Sequence, residues 1–385
     1  MSSRASAVRP YYSHIEGLRG VSALYVVLYH VWQAAVAHPA TATLPALLAA
    51  TPLLQYGHFA VAAFIVISGF CLGLPVAQRA DRRFDAKRFF ARRARRLMPA
   101  YVPVVLLSVV PFVLTALVAG ARPNAPHIVV AVGLHLALIH NLFYATTEYL
   151  NGPLWSIALE CQIYVVFALL LVPLWRRYGP LPQLLAALAI GFAPHVLLHG
   201  FDWTVPWLTG LFGMGVVAAH VVARGAARRV PWRALAAAGA VASVAAIAQY
   251  RDGVTSDWGT ALPDAILGAS LAAFFVAAAR DENIIAARLL SLRPLVFLGT
   301  FSYSLYLIHA PLVDLAGALL VRLHAVPLAA AATWCALIVA IVAAAYGFYR
   351  VFERPFLSEG FRRAIDADVE RGEQHDAPKV LAAAS

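Results

Sequence analysis

Charged residues and cysteines are scarce in this sequence, and their scarcity excludes several classes of protein. Charged residues make up 13% of the 385 positions, whereas hydrophobic residues make up 62%. A soluble chain cannot bury that much apolar surface, so the composition predicts a membrane protein with several spans. Cys71, Cys161 and Cys335 all lie inside apolar runs, which excludes a disulfide framework and a cysteine metal site.

Acidic residues are also few, with 19 Asp and Glu against 30 Lys and Arg, and the net charge is +11. A basic chain can indicate nucleic-acid binding. Here, however, nine cations and two acidic residues lie between Arg79 and Arg96, in a segment that separates two apolar runs. The positive-inside rule explains this cluster as a cytoplasmic loop. We therefore expect no nucleic-acid partner.

Eleven apolar runs follow one another along the chain and predict an all-α, polytopic integral membrane helix bundle. The run 127–143 is the short one, and it carries three histidines and an asparagine. If this run does not cross, every basic loop falls on the cytoplasmic side. The pattern then predicts about ten transmembrane helices, with residues 127–153 outside and both termini in the cytoplasm.

The apolar runs also predict how the chain is divided. We expect a cytoplasmic N-terminal tail at 1–13, a membrane domain at 14–356 and a cytoplasmic, disordered tail at 357–385. We expect no cleavable signal peptide before the first span. We also expect no room for a further domain after the last span.

The first apolar run carries charge where a membrane span should not. Glu16, Arg19 and His30 fall on nearly one face of a helix, and His30 lies about 16 Å beyond Arg19 along the axis. That depth is near the middle of a hydrocarbon core of about 30 Å. Ionisable side chains at that depth usually mark a functional site. A neutral histidine bonded inside the bundle is the alternative.

Three further groups of polar residues lie on or next to the predicted spans. Arg93 and Arg96 precede a third span at about 97–119, and an arginine pair one turn apart can bind phosphate. The second group is Ser156, Glu160 and Tyr164, which follow Trp155 and lie on one helix face. The third group is Ser302, Tyr306 and His309, which also lie on one helix face. The simpler explanations are topology or lipid binding for the arginines, an ion pair for Glu160 and an interfacial anchor for Trp155.

These motifs together resemble the acyltransferase 3 family over residues 14–356. The family has an Arg, ten residues and a His, as at Arg19 and His30, and its other signatures match VAAFIVISGF, RRARRLMP, WSIALECQIY, GTFSYSLYLIHAP and ERP in order. One departure concerns Ala62, which stands where the family usually has Asp or Glu. Ser68 matches the family pattern, but it is also a small residue that suits close helix packing.

The resemblance implies a function and assigns roles. It implies transfer of an acyl group, expected to be acetyl, from cytoplasmic acyl-CoA to a hydroxyl of an extracytoplasmic polysaccharide, lipopolysaccharide or related glycan. It implies a bacterial cytoplasmic (inner) membrane protein that contacts lipid, without a permanently bound cofactor or metal. The catalytic candidates are His30, Glu160 and Arg19. The candidates for substrate binding are Arg93, Arg96, Ser68, Trp155, Ser156, Tyr164, Ser302, Tyr306 and His309.

Histidine suits the removal of a hydroxyl proton because its unperturbed pKa is near ~6.5. His30 could therefore be a general base or carry the acyl group as an acyl-imidazole, and the sequence does not separate these roles. A small lipid or secondary metabolite is an alternative acceptor. A secondary transporter is another reading of the intramembrane charges, although no internal repeat between the two halves supports it.

Overall fold

Helices account for the regular structure of this chain. The computed structural model describes residues 12–42, 44–79, 83–198, 201–249, 259–281 and 283–357, and within these ranges it contains helices and no β-strand. The prediction of an all-α protein is therefore confirmed. The predicted tails at 1–13 and 357–385 lie outside the described residues, apart from residues 12, 13 and 357.

Sixteen α-helices occur in the described residues. They are α1 Ser13–Ala37, α2 Pro45–Leu54, α3 Gly57–Gln78, α4 Ala86–Val118, α5 Ala125–Leu136, α6 Tyr144–Thr147, α7 Leu154–Val166, α8 Val172–Tyr178, α9 Pro180–Leu198, α10 Leu208–Arg224, α11 Trp232–Ala248, α12 Ala261–Arg280, α13 Ile285–Leu290, α14 Arg293–Thr300, α15 Ser302–Arg322 and α16 Pro327–Phe348. A π-helical segment, Phe167–Leu171, joins α7 to α8, and another, Tyr349–Glu353, continues α16.

Nine helical segments within the described residues are long and apolar enough to cross a membrane. Helix α11 is apolar but has only 17 residues. It corresponds to the one predicted span that is not among these nine segments. A helix of that length is about 25 Å long, which is near the lower limit for crossing. The chain is therefore an integral membrane helix bundle, as predicted.

The short run at 127–143 does not form a long helix. It contains most of the 12-residue helix α5, which is followed by a tight turn at 140–142. Twelve residues reach about 18 Å, well short of a hydrocarbon core of about 30 Å. Gln162 of α7 holds the turn against the bundle by donating to the Leu138 carbonyl at 3.0 Å and to Asn141 Oδ1 at 2.8 Å.

Two buried histidines stack within this segment. The rings of His135 and His140 lie 3.7 Å apart between centroids, with an angle of 9° between their planes. Burial, together with the neighbouring His135, lowers the pKa of His140 to about 3, and burial also lowers the pKa of His135. Both rings are therefore neutral at neutral pH and stack face to face.

Close packing between α3 and α10 depends on glycine. A Cβ on Gly69 would overlap the backbone of Phe212, and a Cβ on Gly215 would overlap the backbone of Val66. Small residues let helix backbones approach in a membrane, where dispersion contacts replace the hydrophobic effect between helices. This close contact fixes the position of α3, whose other side faces the candidate site.

Helix α15 contains a proline that frees a carbonyl group. Pro311 has no N–H, so the Leu307 carbonyl has lost its donor four residues later. The side chain of Asn151 replaces that donor at 2.9 Å and also donates to Ser108 Oγ of α4 at 3.1 Å. Asn151 therefore ties the segment before α7 to both α15 and α4.

Candidate active site

A cavity of about 140 Å³ lies among α1, α3, α4, α7 and α15. Its walls include Phe64, Cys71 and Tyr303 as well as nine of the twelve predicted site residues. Those nine are Arg19, Ser68, Arg93, Arg96, Ser156, Glu160, Tyr164, Ser302 and Tyr306. Five helices that are distant in sequence thus bring most of the predicted side chains to one place.

Arginines line the cavity at the end next to the basic segment. Arg19 lies 3.5 Å from Glu16, which is the partner that their spacing on α1 predicts. Arg96 Nη1 lies 2.5 Å from Oε1 of Glu353, a fully buried carboxylate whose other oxygen accepts a hydrogen bond from Ser304 Oγ at 2.5 Å. Sequence reasoning assigned no role to Glu353. The feature that could have identified it is that its carboxylate lies at the end of the last apolar run, within the matched ERP motif.

Arg93 differs from the other two arginines of the cavity. It is half-buried, and its Nε atom is buried without a hydrogen-bond partner. Within the described ranges, no carboxylate forms an ion pair with it. A partly buried cation without a counter-ion is costly, so this side chain is suited to an anion that enters the cavity.

A chain of hydroxyl groups leads from Ser68 to Glu160 on the neighbouring wall. Tyr164 donates its hydroxyl proton to Glu160 Oε1 at 2.5 Å, and Ser68 Oγ lies 3.2 Å from the same hydroxyl. The two α7 residues are adjacent because they are four positions apart on one helix face, as predicted. The sequence left an ion pair open for Glu160, whereas its hydrogen-bond partner within the described residues is a tyrosine.

Tyr306 closes the far end of the cavity. Its hydroxyl lies 2.7 Å from Ser156 Oγ, and it donates to the Pro153 carbonyl at 3.0 Å. The Phe64 ring meets the Tyr306 ring edge-on at 6.1 Å. Ser302 lines the cavity but donates its hydroxyl to the Gly299 carbonyl at 2.9 Å. Trp155 is half-buried and is not part of the lining.

His30 and His309 form a pair beside the cavity and are not part of its lining. His309 Nε2 lies 3.3 Å from His30 Nδ1, and the ring centroids are 4.8 Å apart. The Tyr306 ring, which closes the cavity, lies 5.7 Å from the His309 ring. The sequence predicted both histidines as site residues but did not identify their direct contact.

Metal-binding groups are not evident in this arrangement. Within the part of the chain that the structure describes, no group of three or more His, Cys, Asp or Glu side chains could hold a metal ion. The cavity instead combines three guanidinium groups, a carboxylate and several hydroxyls next to a histidine pair. Such a set can bind an anionic substrate and move a proton.

Comparison with known proteins agrees with this chemistry. The model of a family described as an acyltransferase domain matches residues 12–350. The chain belongs to the acyltransferase 3 family. The predicted resemblance over 14–356 is thereby confirmed, and the cavity and the histidine pair both lie within the matched acyltransferase domain.

Two curated relatives of this acyltransferase domain are similar to it in sequence. One is the peptidoglycan O-acetyltransferase OatA of Listeria monocytogenes, which is 25% identical over 344 residues, or 80% of this chain and 50% of the relative. The other is an uncharacterized protein of Haemophilus influenzae, 29% identical over 125 residues, or 30% of this chain and 49% of the relative. The chain spans about half the length of the curated relatives it matches. No solved structure matches it.

Proposed function

We propose that this protein transfers an acyl group, expected to be acetyl, from acyl-CoA to a hydroxyl of an extracytoplasmic glycan. The observation that carries the proposal is a cavity with Arg93, which has no carboxylate partner among the described residues, at its basic end and a histidine pair beside the Tyr306 end. The family match and the name of the Listeria relative support acyl transfer to a glycan.

The basic end of the cavity suits the acyl donor. Coenzyme A carries several phosphates, and arginine binds phosphate through forked, charge-assisted hydrogen bonds. Arg93 is the arginine of this end with no carboxylate partner in the described residues, so it is assigned to a phosphate of the donor. Arg19, which also lines this end and precedes His30 on α1, is assigned to orienting the thioester.

The reaction needs one proton to move away from the acceptor and then to the leaving group. His30 takes the hydroxyl proton while the acceptor oxygen attacks the thioester carbonyl carbon. The carbon–sulfur bond breaks, and the coenzyme A sulfur takes the proton back from His30. Glu160 and Tyr164, which also line the cavity, are assigned to hydrogen bonding with the acceptor.

Topology determines the direction of the transfer. The cations at 79–96 assign the arginine end to the cytoplasm under the positive-inside rule, which suits a cytoplasmic donor. Transfer toward the outside then takes place within the bundle, in a bacterial cytoplasmic membrane. No permanently bound cofactor or metal is required by this scheme.

The test is acyl transfer by the purified protein in lipid vesicles, with radiolabelled acetyl-CoA and soluble glycan fragments as acceptors. We expect ester-linked label on the glycan, released by mild base. His30→Ala should abolish the transfer while the protein stays inserted and folded, because the base is lost. Matched His195→Ala, which removes a buried histidine of α9 outside the cavity, should remain active. Full activity of well-expressed His30→Ala protein would refute the catalytic assignment.

A further inference from the structure

The contact between His30 and His309 restricts which ring nitrogens carry protons. His309 has no exposed surface, and its Nδ1 lies 2.7 Å from the carbonyl oxygen of Tyr306. A carbonyl oxygen only accepts hydrogen bonds, so Nδ1 of His309 carries a proton. A neutral imidazole has a single N–H, and the Nε2 atom of His309 therefore presents its lone pair to His30.

The same argument applies to the other ring. His30 Nδ1 lies 2.9 Å from the Val26 carbonyl oxygen and 3.3 Å from His309 Nε2. Both of these atoms are acceptors, so His30 Nδ1 must carry the proton that they share. The opposite tautomer of His30 would place its lone pair against a carbonyl oxygen and a second lone pair. The neutral His30 ring consequently has its own lone pair on Nε2.

The Nε2 atom of His30 remains available. It has no hydrogen-bond partner among the described residues, and the ring is half-buried. The two rings thus form an ordered series, in which the Tyr306 carbonyl accepts from His309 and His309 accepts from His30. That series fixes the ring orientation of His30 from the side opposite its free nitrogen.

We propose that His309 is a positioning residue that holds His30 in its Nδ1–H tautomer, so that Nε2 of His30 takes the proton of the acceptor hydroxyl. This inference rests on the proposed function, because it assigns atoms within the same site. The proton moves from the acceptor oxygen to His30 Nε2 and leaves with the coenzyme A sulfur. While His30 is charged, its Nδ1–H donates a charge-assisted hydrogen bond to neutral His309 Nε2.

The first test reads the tautomer without any reaction. The protein labelled with ¹⁵N at its histidines is reconstituted in lipid bilayers, and solid-state NMR separates the two neutral tautomers by their ring nitrogen shifts. The signals lost in His30→Ala identify His30. We expect the Nδ1–H tautomer in the wild-type protein and a changed population in His309→Met. The Nε2–H tautomer for wild-type His30 would overturn the proposal.

The second test separates positioning from packing. His309→Gln keeps a hydrogen-bond acceptor near the Nε2 position, whereas His309→Met fills similar space without one. We expect His309→Met to lower kcat about tenfold or more, since proton transfer by a positioned base is worth that much or more. KM for the acyl donor should stay unchanged, and His309→Gln should recover much of the lost kcat.

A matched control uses another fully buried histidine. His135→Met changes the same residue type outside the cavity, and it should leave kcat near the wild-type value. Equal kcat values for His309→Gln and His309→Met would overturn the positioning role. If wild-type protein transferred no acyl group from acetyl-CoA, the proposed function would be contradicted. The comparison of the His30 tautomers in wild-type and His309→Met protein would still decide the assignment of His309.

Discussion

At the scale of single residues, Arg93 and Arg96 show what the sequence predicts and what it leaves open. Their spacing of three predicts that they point the same way, and both line the cavity. Their partners could not be predicted, because Glu353 lies 257 positions from Arg96. Which helix supplies a counter-ion depends on how distant spans pack. Two arginines of one motif therefore have different surroundings.

Arg93→Ala should weaken the binding of the acyl donor. We expect KM for acetyl-CoA to rise about tenfold, since a charge-assisted phosphate contact contributes about 1.5 kcal/mol or more. Thermal stability should change little, because Arg93 has no ion-pair partner in the described residues. Arg95→Ala, an exposed neighbour on the same helix, is the matched control. Equal KM values for the two variants would favour a role of Arg93 in topology or lipid binding.

Arg96→Ala should act mainly on stability. It leaves the Glu353 carboxylate buried without its cation, and breaking such a pair costs about 3 kcal/mol. We expect a clear drop in melting temperature, measured by thermal unfolding in detergent. The double variant Arg96→Met with Glu353→Leu should recover most of the loss, because no charge remains buried. A double variant as unstable as Arg96→Ala alone would contradict this assignment.

At the scale of helices, local periodicity predicts faces well and ends less well. Ser156, Glu160 and Tyr164 were placed on one face from their spacing, and all three line the cavity. Helix α4, in contrast, begins at Ala86, whereas the apolar run predicts a start near residue 97. The arginines of the basic segment predicted a loop. In the structure, however, Asp85 caps the start of a helix there by accepting a hydrogen bond from the Arg88 backbone N–H at 3.0 Å.

The Asn151 contact with α15 provides a prediction at this scale. Asn151→Ala removes the donor of the Leu307 carbonyl, and an unpaired buried polar group costs about 1–3 kcal/mol. We expect a lower melting temperature. In a Pro311→Ala background, residue 311 regains its N–H, so Asn151→Ala should cost less. Ser108→Ala controls for the second Asn151 contact. An equal cost of Asn151→Ala in both backgrounds would show that the freed carbonyl is not the cause.

At the scale of the whole molecule, composition alone predicts the class of protein, but it does not predict which helices meet. The pairs that build the centre join residues far apart in sequence: His30 with His309 are 279 positions apart, and Ser68 with Tyr164 are 96 apart. No periodicity encodes such pairs, since they follow from the rotation and depth of each packed span. The intramembrane polar residues still predicted most of the lining, because a bundle must turn such groups inward.

The orientation of the bundle is the prediction that belongs to this scale. If the positively charged loops lie inside and the short helix α5 does not cross the membrane, Glu148 lies outside. Tyr178, at the end of α8, then lies in the cytoplasm. Single cysteines at these two exposed positions, in a background with Cys71, Cys161 and Cys335 replaced by serine, report the side. The cysteine is placed at Tyr178 and not at the next residue, Gly179, because a side chain at the Gly179 φ of +92° would be strained.

In intact cells, an impermeant thiol reagent should label Glu148→Cys but not Tyr178→Cys. Both should react after the membrane is permeabilised, which controls for thiol reactivity. This result would place the segment before α7 on the side of the glycan acceptor and the arginine end of the cavity on the side of acyl-CoA. Labelling of Tyr178→Cys alone in intact cells would show that the bundle has the opposite orientation in the membrane. The cavity would then open toward the wrong compartment for an acyl-CoA donor, and the proposed direction of transfer would fail.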